Sequence, residues 1–276
     1  MPHYHKSTTE LIKDYFQEID LQSNQTFEKK DITNWFDKNY PKIKSNTVSC
    51  HLAKLSVNNP SRRHTNPNKN GSDDILFKLS KNTFRLYNKA NDILPDIDIA
   101  NGEINDYENI DEEKGMQEFA YEKDLRNYLV KNLSMIESGL KLYEDEGITG
   151  IEYEVDGRFI DVLAVDKDNN FVVIELKVSR GYDRVIGQLL RYKNWIKKNL
   201  AEEGQNVRGI IICKQLTEDL LLACLELKDV ELFEYELWYD YKLLFYGKYN
   251  RRKRGRWIGG GKPIPLEPWP RLRYNC

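Results

Sequence analysis

The sequence predicts an α/β protein built from two folded domains, a small helical one over residues 1–91 and a larger α/β one over residues 114–245. Helical periodicity recurs three times before residue 60 and is followed by two short β-like runs. Residues 158–177 form two apolar β-like runs around a polar turn, followed by a long amphipathic stretch. Between the two parts, residues 92–113 contain acids but no base. Strands interleaved with helices give an α/β domain, and an aperiodic acidic segment reads as a solvated linker.

Composition narrows the functional classes. With 276 residues, 40% hydrophobic and 31% charged, the chain is long enough to bury two cores. Its longest apolar runs, such as GIIIC and LLLAC, are too short to cross a bilayer, and MPHYHKSTTE has no secretory character. The expectation is a cytosolic protein with no membrane partner. Cys50, Cys213, Cys224 and Cys276 form no CxxC pair, so neither a zinc knuckle nor a disulfide framework is expected. All histidines (3, 5, 51 and 64) precede the linker, so chemistry in the second domain must run without imidazole. Charge is segregated: residues 1–91 hold 15 bases against 9 acids, and the basic tail 246–276 holds nine against one. Such blocks on a near-neutral chain suit a polyanion ligand.

The first domain is predicted element by element. TTELIKDYFQEI (8–19) aligns Leu11, Ile12, Tyr15, Phe16 and Ile19 on one helical face. A second helix is expected to open at Thr26, burying Phe27, Ile32, Trp35 and Phe36 and ending near Pro41. Ser45 is the expected N-cap of a third, with Val48, Leu52 and Leu55 inward. That stripe would aim Asn46, Cys50 and Lys54 outward, flanked by Thr47 and Ser49. ILFKL and TFRLY then read as a hairpin around Ser80–Asn82. Three helices and a hairpin are the order of a winged helix-turn-helix domain. YPKIKSNTVSCHLAKLSVNNPSRR resembles the winged-helix modules attached to prokaryotic restriction-type nucleases. On that expectation the third helix reads base edges while Arg62 and Arg63 hold phosphates.

In the second domain a helix is expected over 116–133, with Phe119, Leu125, Leu129 and Leu133 inward. The hairpin RFIDVLAVDKDNNFVVIELK follows, then a helix over 182–200, the strand GIIIC, a helix over 217–227 and the β-rich VELFEYELWYDYKLLF. If the hairpin turns at Asp168, Asp161 stands opposite Glu175, with Phe159, Leu163 and Val165 facing Lys177, Val173 and Phe171. Two carboxylates would then lie roughly 5 Å apart among apolar side chains. Burying them unpaired costs several kcal/mol each by order of magnitude. A divalent cation removes the objection, and hard carboxylate oxygens suit Mg²⁺. The alternative, an exposed Glu175–Lys177 ion pair, would have no need of an apolar strand.

An acid, a hairpin and then Glu175-Leu176-Lys177 resemble the signature of the PD-(D/E)XK nuclease superfamily, with Ile160 in the place of its proline. E-x-x-L from Glu122, NLSMIESGL, GRFID, ELK and the Gln188–Tyr192 pair together look like the catalytic domain of NucS-type endonucleases. The resemblance implies a restriction-endonuclease-like α/β/α domain hydrolysing phosphodiesters with Mg²⁺, or with Mn²⁺ in its place, and no small-molecule cofactor. Asp161 and Glu175, with Glu122, would hold the metal. Lys177 would act on the attacking water, and Gln188 and Tyr192 would support the site. Arg180 and Arg184 could grip neighbouring phosphates, as could Arg251 and Arg252 in the tail. The expected substrate is double-stranded DNA, and the expected assembly is a homodimer with one site per strand. The preferred reading is a restriction-type endonuclease reading a specific, possibly modified-base, site. A NucS-like mismatch- or structure-specific repair enzyme is the alternative, and a non-catalytic DNA-binding regulator a further one.

Overall fold

A computed structural model describes residues 4–94, 112–177, 182–237 and 243–246. Most of the acidic linker and the basic tail therefore lie outside the described residues. The chain divides into two compact units. One comprises Met1–Asn109, Leu142–Leu163 and Trp195–Gly204, and the other Ile110–Lys141, Ala164–Asn194 and Gln205–Cys276.

In the first unit, helix α1 (Thr8–Glu18) starts at a capping box between Ser7 and Glu10, which satisfies two amides that a helix start leaves open. Strand β1 (Thr26–Glu28) comes next, then α2 (Lys29–Asn39), α3 (Ser45–Leu55) and a 3₁₀ turn over Pro60–His64. Strands β2 (Leu76–Lys78) and β3 (Thr83–Leu86) close the module in a sheet of order β1-β3-β2. The expected helix start at Thr26 is corrected: residues 26–28 are extended and pair with β3, and Glu28 caps the helix. The reason is Phe27, which in a strand reaches the core and stacks on Phe84 with centroids 5.7 Å apart. Leu11, Ile12, Ile32, Phe36, Val48, Leu52, Leu55 and Leu76 complete this core. Lys44 rather than Ser45 is the cap residue of α3.

The same unit contains a tight hairpin, β5 (Glu144–Asp145) and β6 (Ile148–Thr149), and strand β7 (Ile151–Val155). The two residues between β5 and β6, Glu146 and Gly147, both have positive φ (45° and 82°), the requirement of the tightest hairpin turns. This turn plugs into the helical module. Glu146 accepts from the Thr8 and Thr9 amides at 2.6 and 3.2 Å, and its carbonyl accepts from Lys54 Nζ at 2.7 Å. Asn66 N donates to Gly147 O at 2.7 Å, and a Cβ on Gly147 would stand 2.7 Å from Asn66 O.

The second unit is organised on helix α4 (Glu112–Lys131), where Leu125, Tyr128 and Leu129 are buried, and on parallel strands. The main sheet uses β4 (Lys141–Leu142), β8 (Arg158–Val165), β9 (Phe171–Lys177), β10 (Val207–Cys213), β11 (Val230–Leu237) and β12 (Leu243–Tyr246). Its order is β12-β11-β10-β9-β8-β4, with β7 paired to β8. β9, β10 and β11 are mutually parallel, so each step requires a crossover. Helices α5 (Tyr182–Asn199) and α6 (Glu218–Ala223) lie in those crossovers. Val185, Leu189, Tyr192 and Ile196 form the buried stripe of α5, and a Cβ on Gly209 would meet Leu189 and Lys193 at 2.7 and 2.8 Å. Strands at 158–165, 171–177 and 207–213 and helix α5 lie where expected. α4 runs Glu112–Lys131 rather than 116–133, and α6 is shorter than expected. Residues 238–242 of the β-rich segment and the side chain of Phe119 lie outside what is described.

Candidate active site

β9 is an interior strand. Phe171 through Leu176 are buried, and the strand leaves the interior only at the half-buried Lys177. Glu175 is 5% exposed, an acid in a run otherwise entirely apolar. It stands beside Ile211 of β10, and Lys177 beside Cys213. Period-two alternation puts Val173, Glu175 and Lys177 on one face of the strand. On β8, Ile160, Val162, Leu163 and Ala164 are fully buried, whereas Phe159, Asp161 and Val165 are half-buried; Asp161 thus shares its face with the buried Leu163 and is less enclosed than Glu175. β8 and β9 are neighbours in the sheet order.

The turn joining them is closed by Asp166. Its amide donates to Asn170 O at 2.9 Å, the pairing expected of a turn centred on Asp168. Its Oδ1 accepts from the Asp168 and Asn170 amides at 3.0 and 2.8 Å. Asn169 supplies the positive φ (62°) that asparagine tolerates well.

Glu122 is half-buried on α4, a helix that packs against β9. One helical turn further on, Arg126 is buried at 6% exposure. Helical periodicity does not single out Arg126; the signal the sequence offers is a charge adjacent to the buried Leu125. Gln188 and Tyr192 are separated in environment, Gln188 exposed and Tyr192 buried within the α5 stripe. Arg184 is exposed on α5, and Arg180, Arg251 and Arg252 lie outside the described residues. Burial pushes the Cys213 thiol up to about 12, so the cysteine beside Lys177 stays protonated and is no nucleophile at neutral pH.

Among the described residues no group of three or more His, Cys, Asp or Glu side chains is gathered closely enough to hold a metal ion. A donor set of two carboxylates nonetheless fits Mg²⁺, which takes one or two protein carboxylates and completes its shell with water and phosphate oxygens.

The outward face expected for α3 is corrected. Lys54 is 5% exposed, lies 3.4 Å from Asp73 and is bonded to the Glu146 carbonyl. Asn46 donates to Tyr153 Oη at 2.9 Å, and Cys50 lies 3.8 Å from the same oxygen, with burial pushing its thiol up to about 12. Ser49 Oγ is turned back onto Ser45 O, and Thr47 is half-buried. The helix is amphipathic toward two partners: one face serves its own core, and the other serves the segment 144–155. Period-3.6 reasoning locates the first face and cannot see the second. Of the arginine pair, Arg62 is engaged by Asp74, while Arg63 is exposed.

Comparison with known proteins fits this geometry. Residues 121–242 match the family described as the Endonuclease NucS C-terminal domain. This part of the chain is similar to the NucS C-terminal domain. Residues 7–86 match a Domain of unknown function (DUF7669). An Endonuclease NucS of Pyrococcus abyssi is 38% identical over 99 residues, which is 35% of this chain and 35% of that protein. The Endonuclease NucS of Sulfolobus acidocaldarius is 32% identical over 113 residues, 40% and 41% of the two chains. The crystal structure of a repair endonuclease from Pyrococcus abyssi shares 31% identity, covering 47% of this chain and 50% of that one at a TM-score of 0.35. The chain thus spans about a third to a half of the length of these relatives. Their names move the weight from the restriction-type expectation to the NucS-like alternative.

Proposed function

We propose that the chain is a metal-dependent DNA endonuclease of the NucS kind, hydrolysing phosphodiester bonds in double-stranded DNA with a preference for mismatched or branched duplex. The observation that supports it most is Glu175, buried in an apolar interior strand with Lys177 two residues on, inside the stretch that matches the NucS C-terminal domain. Taken as continuing along the two strands, the register of the Asp166–Asn170 turn supports pairing Asp161 with Glu175. On this reading Asp161 and Glu175 would hold Mg²⁺, with Glu122 a further acid on α4, the helix that packs against β9. When bound, the ion lowers the pKa of water and offsets charge on the scissile phosphate. Lys177 orients the attacking water and stabilises the charge that grows on phosphorus oxygens. Tyr192 braces α5 behind the site, and Gln188 and Arg184 approach the flanking phosphates.

On this reading the N-terminal module acts as a winged helix, which its order of three helices and a closing β2–β3 hairpin supports. It contributes DNA contacts by surfaces other than the enclosed face of α3. A homodimer supplies one site for each strand of the duplex.

Digestion decides between the readings. The protein is incubated with plasmid, and with matched, mismatched and branched synthetic duplexes, in Mg²⁺ or EDTA. Cutting of the mismatched or branched duplexes alone, lost in EDTA and in Glu175→Ala, is the expected result. Discrete bands from matched plasmid restore the restriction reading, and binding without cutting in any metal overturns the enzyme assignment.

A further inference from the structure

Arg63 belongs to a chain of polar contacts that the proposed reaction does not use. It lies in the 3₁₀ turn Pro60–His64, which is held at both ends. Asn59 Oδ1 accepts from Ser61 N at 3.1 Å, and Thr65 donates to Arg62 O through its amide (3.0 Å) and its hydroxyl (2.8 Å). Thr65 also bridges Ile148 of β6. The arginine's backbone is therefore fixed even though its side chain is exposed.

Its guanidinium is oriented as well. Arg63 Nε donates to His64 Nε2 at 2.8 Å, and His64 Nδ1 lies 2.7 Å from Glu152 Oε2. A ring nitrogen that accepts from Arg63 leaves the imidazole proton on Nδ1, where it is donated to Glu152. One tautomer satisfies both bonds. The imidazole is 9% exposed and lies against Phe159, ring centroids 4.9 Å apart, so it cannot turn without losing that packing. Glu152 reaches it from an unusual backbone conformation, φ 47° on β7. In the β7–β8 register, Ile151↔Val162 and Tyr153↔Ile160 leave Glu152 across from Asp161. The positive φ thus re-aims a carboxylate from the regular strand position toward His64, the use to which local strand irregularities are put.

Tying Nε leaves both Nη groups of Arg63 with no partner among the described residues. The end of a guanidinium offered this way is suited to bidentate contact with a phosphate. We infer that Arg63 is a pre-organised phosphate-contacting residue for duplex DNA, with His64 and Glu152 as its positioning residues. This rests on the endonuclease reading, and it moves the DNA-contacting surface of the N-terminal module from α3 to the 3₁₀ turn. Arg62, neutralised by Asp74, plays no part in it.

The test measures binding of the full-length protein to a fluorescent duplex, with Ca²⁺ in place of Mg²⁺ so that the strand survives, across a range of salt. Arg63→Ala weakens binding about three- to tenfold and lowers the salt slope by about one. His64→Asn retains an N–H for Glu152 but no acceptor for Arg63. It weakens binding measured well below the melting temperature of each variant, so that packing lost against Phe159 is not read as lost grip, and His64→Gln, which returns an acceptor near the Nε2 position, restores much of the loss. In the Arg63→Ala background, His64→Asn has no further effect. Unchanged binding in Arg63→Ala, or an equal effect of His64→Asn in both backgrounds, overturns the inference while cutting by the wild type keeps the endonuclease reading. A wild type that neither binds nor cuts any DNA overturns both.

Discussion

His51 shows how burial and proximity divide at a single residue. Its side chain is fully enclosed beneath α1, where Thr9 Oγ1 lies 3.2 Å from Nδ1, and Nε2 finds no hydrogen bond. Burial above all, with the nearby Lys54 cation adding to it, drives its pKa down to about 3. The Glu146 carboxylate 3.9 Å away consequently faces a neutral ring, and the contact is no ion pair near neutrality. A base whose folded pKa is depressed stabilises the fold fully above its unfolded value of 6.5, and that stability is lost as pH falls from there toward 3. Thermal melts should therefore show the melting temperature dropping below about pH 6.5, with a shallower drop in His51→Gln. At Glu175 and Lys177 the effect belongs to chemistry. Glu175→Gln and Lys177→Ala should each lower cleavage by about a hundredfold or more while duplex binding in Ca²⁺ stays within about twofold.

Among the elements, the glycines report how closely strands and turns approach. A Cβ on Gly150 would stand 1.9 Å from Leu163 O, at a point where Leu163 N donates to Gly150 O at 2.7 Å. Gly150→Ala must push β8 aside and should cost about 2–4 kcal/mol, read from denaturant melts. Gly187, exposed on α5 with nothing near its missing Cβ, gives the opposite sign: Gly187→Ala should stabilise by up to about 1 kcal/mol. Sequence patterns reached most of this level. The hairpin at Asp166–Asn170, α5 and the strand Val207–Cys213 all follow from turn chemistry, helical period and an unbroken apolar run, each of which is a local signal. They failed where a segment serves two neighbours or pairs at long range. Phe27 enters the core from a short strand set by Phe84, 57 residues away, and α3 turns its polar face to a hairpin about 100 residues downstream. Glu175 was legible because an acid in VVIELK breaks a local pattern; Arg126 and the Arg63–His64–Glu152 chain depend on tertiary placement, which no local pattern encodes.

At the scale of the whole molecule, no helix among the described residues is long and apolar enough to cross a membrane. The proposed reaction reduces to one claim: Glu175, held inside an apolar strand with Lys177 two residues on, serves to bind a divalent cation. On the proposed reading the N-terminal module, which matches a domain of unknown function, grips the duplex through the 3₁₀ turn that carries Arg63 rather than through α3. The most direct measurement is calorimetric titration of Mn²⁺ into the full-length protein, run beside cleavage of a mismatched duplex for the wild type and Glu175→Gln. Saturable Mn²⁺ binding by the wild type, lost together with cleavage in Glu175→Gln, is what this account predicts. Metal binding and strand cutting that both survive the substitution would contradict it.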